Sequence, residues 1–120
     1  MKKYILFFLL ISCASEESRL ADTYYQNKNY NKAIEYYTES LKLKPNDTQS
    51  LYRRGRSYEE LKQFDKALID YNKVISIDSE NVNAILSLAI NSLVACQVEN
   101  NVPRSIYCKV YNRCKIYIYS

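Results

Sequence analysis

Four cysteines carry the most reactive side chains in this 120-residue chain: Cys13, Cys96, Cys108 and Cys114. As metal ligands they are poorly spaced. Cys108 and Cys114 lie six apart, no Cys-X-X-Cys occurs, and there is no His to complete a tetrahedral set. No metal and no cofactor are expected. The adjacent carboxylates Glu16-Glu17 and Glu59-Glu60 have no His to work with as a base, and they read as solvated helix faces. Gly55 stands alone, so there is no glycine-rich loop to cradle a phosphate. No catalytic residue is expected, and the chain reads as non-enzymatic. Cys13 differs from the other thiols in its position, at the end of an apolar run.

Lys2 and Lys3 precede the uncharged run Tyr4–Ile11. That run is too short to cross a hydrocarbon core, which needs about 20 helical residues. Positive residues, an apolar core and then small residues form the pattern of a secretory signal peptide. Two cleavage readings compete. Ser12-Cys13-Ala14 offers small residues to an ordinary signal peptidase cutting after Ala14. Leu10-Ile11-Ser12-Cys13 resembles a bacterial lipobox. The lipobox resemblance implies that residues 1–12 are an address and that Cys13 is the lipidation site, its sulfur alkylated by a diacylglycerol. Residues 13–18, small and polar, would be a tether. Each buried methylene contributes about 0.8 kcal/mol, so two or more acyl chains make a stable membrane anchor. The expected location is the cell envelope, with a periplasmic or secreted protein as the alternative. An uncleaved apolar N-terminus is the third reading. In an oxidising compartment Cys96, Cys108 and Cys114 would be an odd set, able to form one bridge within the chain.

The formal net charge is +4, but it is unevenly placed. Arg104, Lys109, Arg113 and Lys115 lie in a tail without acids, and Lys2 and Lys3 lie in the leader, so the middle is slightly acidic. A nucleic-acid binder would stripe its basic charge, and no nucleic-acid partner is expected.

The element order comes from self-comparison. Residues 14–47 laid over residues 48–81 bring Arg19 over Arg53, Tyr24 over Tyr58, Lys28 over Lys62, Lys32 over Lys66, Ala33 over Ala67 and Tyr37 over Tyr71. Ala21/Gly55, Tyr30/Phe64, Asn31/Asp65, Ile34/Leu68, Leu41/Ile75 and Leu43/Ile77 are near-matches at the same offset of 34. Each unit reads as two helices. Asn31 and Asp65 are the expected caps of the second helix, and Pro45 closes the first unit because it lacks an N–H. Helices are expected over 16–27, 32–43, 49–62, 66–77 and 82–95. Ala21, Gly55, Ala33 and Ala67 are expected at close helix crossings, with Tyr24, Tyr37, Tyr58 and Tyr71 packing beside them.

These residues resemble the tetratricopeptide-repeat family. The match covers 14–81, with Ala21, Tyr24, Ala33, Tyr37 and Pro45 in the first unit and Gly55, Tyr58, Ala67 and Tyr71 in the second. A third unit begins over 82–95, where Ala84, Ile85, Leu88 and Ala89 fall in register. The resemblance implies an all-α solenoid of helix-turn-helix hairpins, about two full repeats and a partial third. It also implies a concave groove lined by the first helix of each hairpin, which receives a peptide or a partner's helix. By register that groove holds Ser18, Asp22 and Tyr25, then Tyr52, Arg56 and Glu59, then Leu86, Ile90 and Leu93. The set lacks the cluster of Lys, Arg and Asn that grips a C-terminal carboxylate in some relatives.

Past 95 the pattern fails. Residues 96–120 admit three readings: a divergent capping helix, the out-of-frame or truncated end of a longer array, or disorder. Strict alternation around Ile106, Cys108 and Val110 suits a strand as well as the spacing of Ile106, Val110, Cys114 and Ile118 suits a helix. The expected function is a protein-interaction scaffold anchored by Cys13, and an incompletely covered third repeat would also allow self-association. The alternatives are a fragment without independent function and an accessory subunit of an enzyme complex.

Overall fold

The computed structural model describes residues 2–98. The expected tail with Cys108 and Cys114 lies outside the described residues, as do the side chains of Cys13 and Cys96. Five helices follow in order: α1 (Lys2–Gln26), α2 (Tyr30–Leu43), α3 (Thr48–Glu60), α4 (Phe64–Ile77) and α5 (Val82–Val98). α1 packs on α2 and α3 on α4 as antiparallel hairpins, while α2 meets α3 and α4 meets α5 to stack one hairpin on the next. The architecture is an all-α helical-repeat solenoid.

Both hairpin turns are built the same way. Lys28 and Lys62 adopt left-handed backbone, φ 58° and 59°. Around the first, Asn29 N–H donates to Tyr24 O and Lys28 N–H to Tyr25 O, both at 2.9 Å; around the second, Gln63 N–H donates to Tyr58 O and Lys62 N–H to Glu59 O, again at 2.9 Å. This paired bonding satisfies the last carbonyls of the first helix and reverses the chain. It also moves the start of the second helix two residues earlier than expected. Asn29, not Asn31, caps α2, its side chain accepting from Lys32 N–H at 3.3 Å. Gln63 stands at the corresponding place before α4 and makes no side-chain cap bond, and Asp65 lies in the first turn. The helices that open the second and third units are capped by Asp47, which accepts from Gln49 N–H at 3.3 Å, and by Asn81, which accepts from Ala84 N–H at 3.1 Å. Pro45 falls directly after the C-cap residue Lys44, where no helical N–H is needed.

α1 begins at Lys2 rather than near residue 16, so residues 13–18 are helical. No Gly or Pro interrupts Lys2–Gln26, and nothing in that stretch stops the helix. Among the described residues no helix is long and apolar enough to cross a membrane.

The core forms in three clusters. Ala21, Ala33 and Tyr37 close the first hairpin, with Tyr24, Tyr25 and Tyr36 against them. Ala67, Tyr71, Leu68 and Leu88 close the second and reach α5. Leu41, Leu51, Val74 and Ala84 come from four successive helices and form the seam between repeats. Tyr37 and Tyr71 are wholly buried. Tyr24 and Tyr58 are only half-buried, each with a lysine ammonium over its ring: Lys32 at 5.1 Å and Lys66 at 5.5 Å.

Candidate functional site

Side chains bridge α1 to α3 and α3 to α5, so the first helices of the hairpins lie side by side. Asp22 on α1 pairs with Arg53 on α3. Glu59 on α3 accepts from Asn91 Nδ2 on α5 at 3.0 Å, and the Tyr52 hydroxyl lies 3.4 Å from Ser87 Oγ. The face these helices share is the candidate site.

The nine residues expected there fall into three kinds. Asp22 and Glu59 are tied inward. The Tyr37 phenol donates to Asp22 Oδ1 at 2.5 Å, and the Tyr71 phenol donates to Glu59 Oε2 at 2.7 Å. Each phenol therefore links the second helix of a hairpin to its first helix, and the carboxylate it meets continues to the next hairpin. Burial, and then the bond to Asp22, pushes the Tyr37 pKa well above the ordinary phenol range. Burial, and then the bond to Glu59, does the same for Tyr71. Arg56 joins this set through Glu59 Oε1 at 3.5 Å.

The second kind is aromatic. Tyr25 meets Tyr30 edge-on at 5.6 Å between centroids, and Tyr52 lies against Tyr71 at 5.6 Å. Both are half-buried and show part of their surface to the face. The third kind is apolar and exposed: Leu86, Ile90 and Leu93 on α5. Ser18 stands apart, its hydroxyl donating to Ser15 O of its own helix at 3.2 Å.

Arg53, Asn91, Ser87 and Tyr30 complete the face and were not among the expected residues. Their partners lie a repeat away or on the neighbouring helix, and period alone does not pair them. A further ion pair sits behind the face. Arg54 donates from Nε and Nη2 to the two carboxylate oxygens of buried Asp70 at 2.8 and 2.7 Å, and from Nη1 to Thr38 Oγ1 at 3.1 Å. It locks α2, α3 and α4 together. A signal for it exists in the sequence: Arg54 occupies the register of Leu20 and Leu88, and a cation at an apolar position demands a buried partner.

The face can therefore recognise a surface. Its two carboxylates are held by cations, phenols and an amide rather than presented to a reacting group.

A family model described as tetratricopeptide repeat matches residues 14–47 and 48–81. Sperm-associated antigen 1 of Rattus norvegicus is 38% identical over 74 residues, which are 60% of this chain and 8% of that protein. The chain thus spans less than a tenth of the length of that curated relative. Among solved structures, the Arabidopsis OM64 TPR domain is similar at TM-score 0.64 and 22% identity, covering 90% of this chain and 98% of that one. The first TPR of Spaghetti (RPAP3), bound to the HSP90 peptide SRMEEVD, is similar at TM-score 0.62 and 16% identity, covering 91% and 98%.

Proposed function

Because this chain belongs to the tetratricopeptide-repeat family, a family of protein–protein interaction modules, we propose that it is a non-enzymatic scaffold. It holds a protein or peptide partner on the face formed by α1, α3 and α5, and it is exported and anchored in a bacterial cell envelope through lipidated Cys13. The observation that carries the scaffold reading is the continuous face itself: three helices joined edge to edge by Asp22–Arg53 and Glu59–Asn91, with Tyr52, Leu86, Ile90 and Leu93 left to meet a partner. A solved relative in complex with the peptide SRMEEVD supports the same use of the fold.

The anchor reading rests on Leu10-Ile11-Ser12-Cys13 after an uncharged run. Core packing is compatible with it. The described core residues of the first hairpin begin at Ala21, and Tyr4, Ile5, Leu6 and Phe8 are exposed, so removal of residues 1–12 would take nothing from that core. Growth with labelled palmitate tests the anchor. Label should partition with the detergent phase and disappear in Cys13→Ala; equal labelling of the two proteins would end the lipoprotein reading. Pull-down from envelope extract tests the face, with Tyr52→Ala/Arg56→Ala as the disabled variant. Retention of every partner by that variant would remove the face from the function.

A second reading is a short piece of a longer array without function of its own. It is favoured by the match to two repeats, where stable arrays need about three. A cooperative melt of the monomeric chain argues against it.

A further inference from the structure

The outer edge of the first repeat exposes positions that the later repeats bury. Leu20, Arg54 and Leu88 share one register on α1, α3 and α5. Arg54 is held by Thr38 on α2 and Asp70 on α4, and Leu88 is 6% exposed. Leu20 is 40% exposed. Its neighbours follow the same rule. Leu51 and Asp70 are buried, while Glu17 and Tyr36, which stand 34 residues before them, are half-buried.

On α1, Glu17, Leu20 and Tyr24 lie within an arc of about 60°. Asp22 and Tyr25, which belong to the binding face, are turned away from that arc. Glu16, Glu17, Leu20 and Thr23 line, with Arg19 and Tyr36, an open cleft of about 270 Å³. Small-molecule pockets hold roughly 300–1,000 Å³, so this edge suits a surface contact. Tyr24 and Tyr36 stack at 5.2 Å between centroids, and the Lys32 ammonium lies 5.1 Å from the Tyr24 ring centre. Glu16 is paired with Arg19 at 3.0 Å. Glu17 makes no ion pair among the described residues.

The order along α1 is therefore a carboxylate, then a leucine, then an aromatic ring with a cation over it. Glu17 lies about 4.5 Å before Leu20 along the axis, and Tyr24 about 6 Å after it. Laid antiparallel on itself, that order is self-complementary. An end-to-end contact with α5 of another copy is not. α5 carries no charged residue over Val82–Val98, so Glu17 would be covered without a cation to meet it.

We propose that this edge is a homodimer contact, with α1 of two copies packed antiparallel about a two-fold axis at Leu20. Such an interface is isologous, so each contact occurs twice. Leu20 meets Leu20 of the second copy, and each Glu17 pairs with the second copy's Lys32 beside its Tyr24 ring. The α1–α3–α5 face of each copy stays open, and the dimer presents two such faces to a bivalent partner. A patch of two helical turns is smaller than the roughly 800 Å² per partner of a standard interface. The dimer is accordingly weak, with a dissociation constant on the order of 100 μM.

Sedimentation equilibrium of the full chain in detergent, from about 10 μM to about 1 mM, tests this. Monomer should give way to dimer across that range. Leu20→Glu should weaken the dimer by about tenfold or more at unchanged helical circular dichroism. Glu17→Lys and Lys32→Glu should each weaken it by about fivefold. Mixed one to one, these two variants should dimerise again, because both contacts of the mixed pair join opposite charges. A monomer at every concentration would overturn the proposal. So would a dimer indifferent to Leu20→Glu, or a mixture no tighter than its two components. A dimer lost in Leu86→Glu instead would move self-association to the third repeat and overturn it as well. None of these results bears on the scaffold reading, which the pull-down tests separately.

Discussion

Tyr71 donates its phenolic O–H to Glu59 Oε2 at 2.7 Å, and the same oxygen accepts from Asn91 Nδ2 at 3.0 Å. One carboxylate thus joins α3 to α4 within a repeat and to α5 in the next. The first hairpin repeats the arrangement with different spacing: Asp22 accepts from Tyr37 and pairs with Arg53. Removing the acceptor strands a buried phenol. Glu59→Ala should cost about 1–3 kcal/mol, the range for a buried polar group left without its partner. Glu59→Gln keeps a carbonyl acceptor and should cost less. Urea denaturation of the three proteins checks the order, and equal midpoints for Glu59→Ala and the parent chain would remove this contact from the account of stability.

Alkaline pH should loosen both hairpins. Burial first, and the carboxylate bond second, raise the Tyr37 and Tyr71 pKa values above the ordinary 10.0. A group whose folded pKa is raised contributes stability below its unfolded pKa and loses it as pH climbs past that value. The melting temperature should therefore fall above about pH 10, where the unfolded phenols ionise and the folded ones do not. Tyr37→Phe/Tyr71→Phe has no such protons to lose and should show a flatter pH dependence there, whatever its stability at neutral pH. Parallel slopes for the two proteins would count against buried, carboxylate-bonded phenols.

Gly55 is set by one neighbour. A Cβ at this position would lie 2.7 Å from Tyr71 Cε1, with Cδ1 and Cζ at 3.1 and 3.2 Å. Tyr71 is fully buried and held by Glu59, so the ring has little room to yield. Gly55→Ala should destabilise by about 1–3 kcal/mol through overpacking. In Tyr71→Leu, where the ring is gone, the same substitution should cost markedly less, and the double-mutant cycle measures that coupling. At the matching place in the first repeat an alanine, Ala21, packs buried beside Tyr37.

The hairpins were legible because small residues and buried aromatics recur at a fixed offset, and a buried residue has few substitutes. Ala21, Ala33, Tyr37, Ala67 and Tyr71 are buried for that reason. Caps were less legible. Asn31 and Asp65 have the right chemistry, but the left-handed turns at Lys28 and Lys62 start the helices earlier, and a lysine gives no sign of positive φ. The polar part of the face was half legible. Register placed Asp22 and Glu59 on the first helices of their hairpins, while their partners Tyr37, Arg53, Tyr71 and Asn91 come from other helices. Such pairs depend on side-chain reach across a helix boundary, which periodicity does not encode. Arg54 went unread although it stands in an apolar register, and its partner Asp70 needed the fold.

Lys28 and Lys62 are the simplest places to raise stability. Both hold φ near 60° at the hairpin turns. A side chain with a Cβ pays about 1–2 kcal/mol in this region, and glycine does not. Glycine also makes the unfolded chain freer, which takes back about 0.4–1 kcal/mol. The difference leaves a net gain of about 0.5–1 kcal/mol for Lys28→Gly or Lys62→Gly. Both lysines are exposed, and no hydrogen bond or ion pair of their side chains offsets that gain among the described contacts. Lys28→Ala is the control: alanine has the same Cβ strain, so it should leave the midpoint within about 0.5 kcal/mol of the parent chain. The turns lie in separate repeats, and the double variant Lys28→Gly/Lys62→Gly should add the two gains. Chemical denaturation decides it. A glycine variant less stable than its alanine counterpart would show that unfolded-chain entropy, rather than left-handed strain, dominates at these turns.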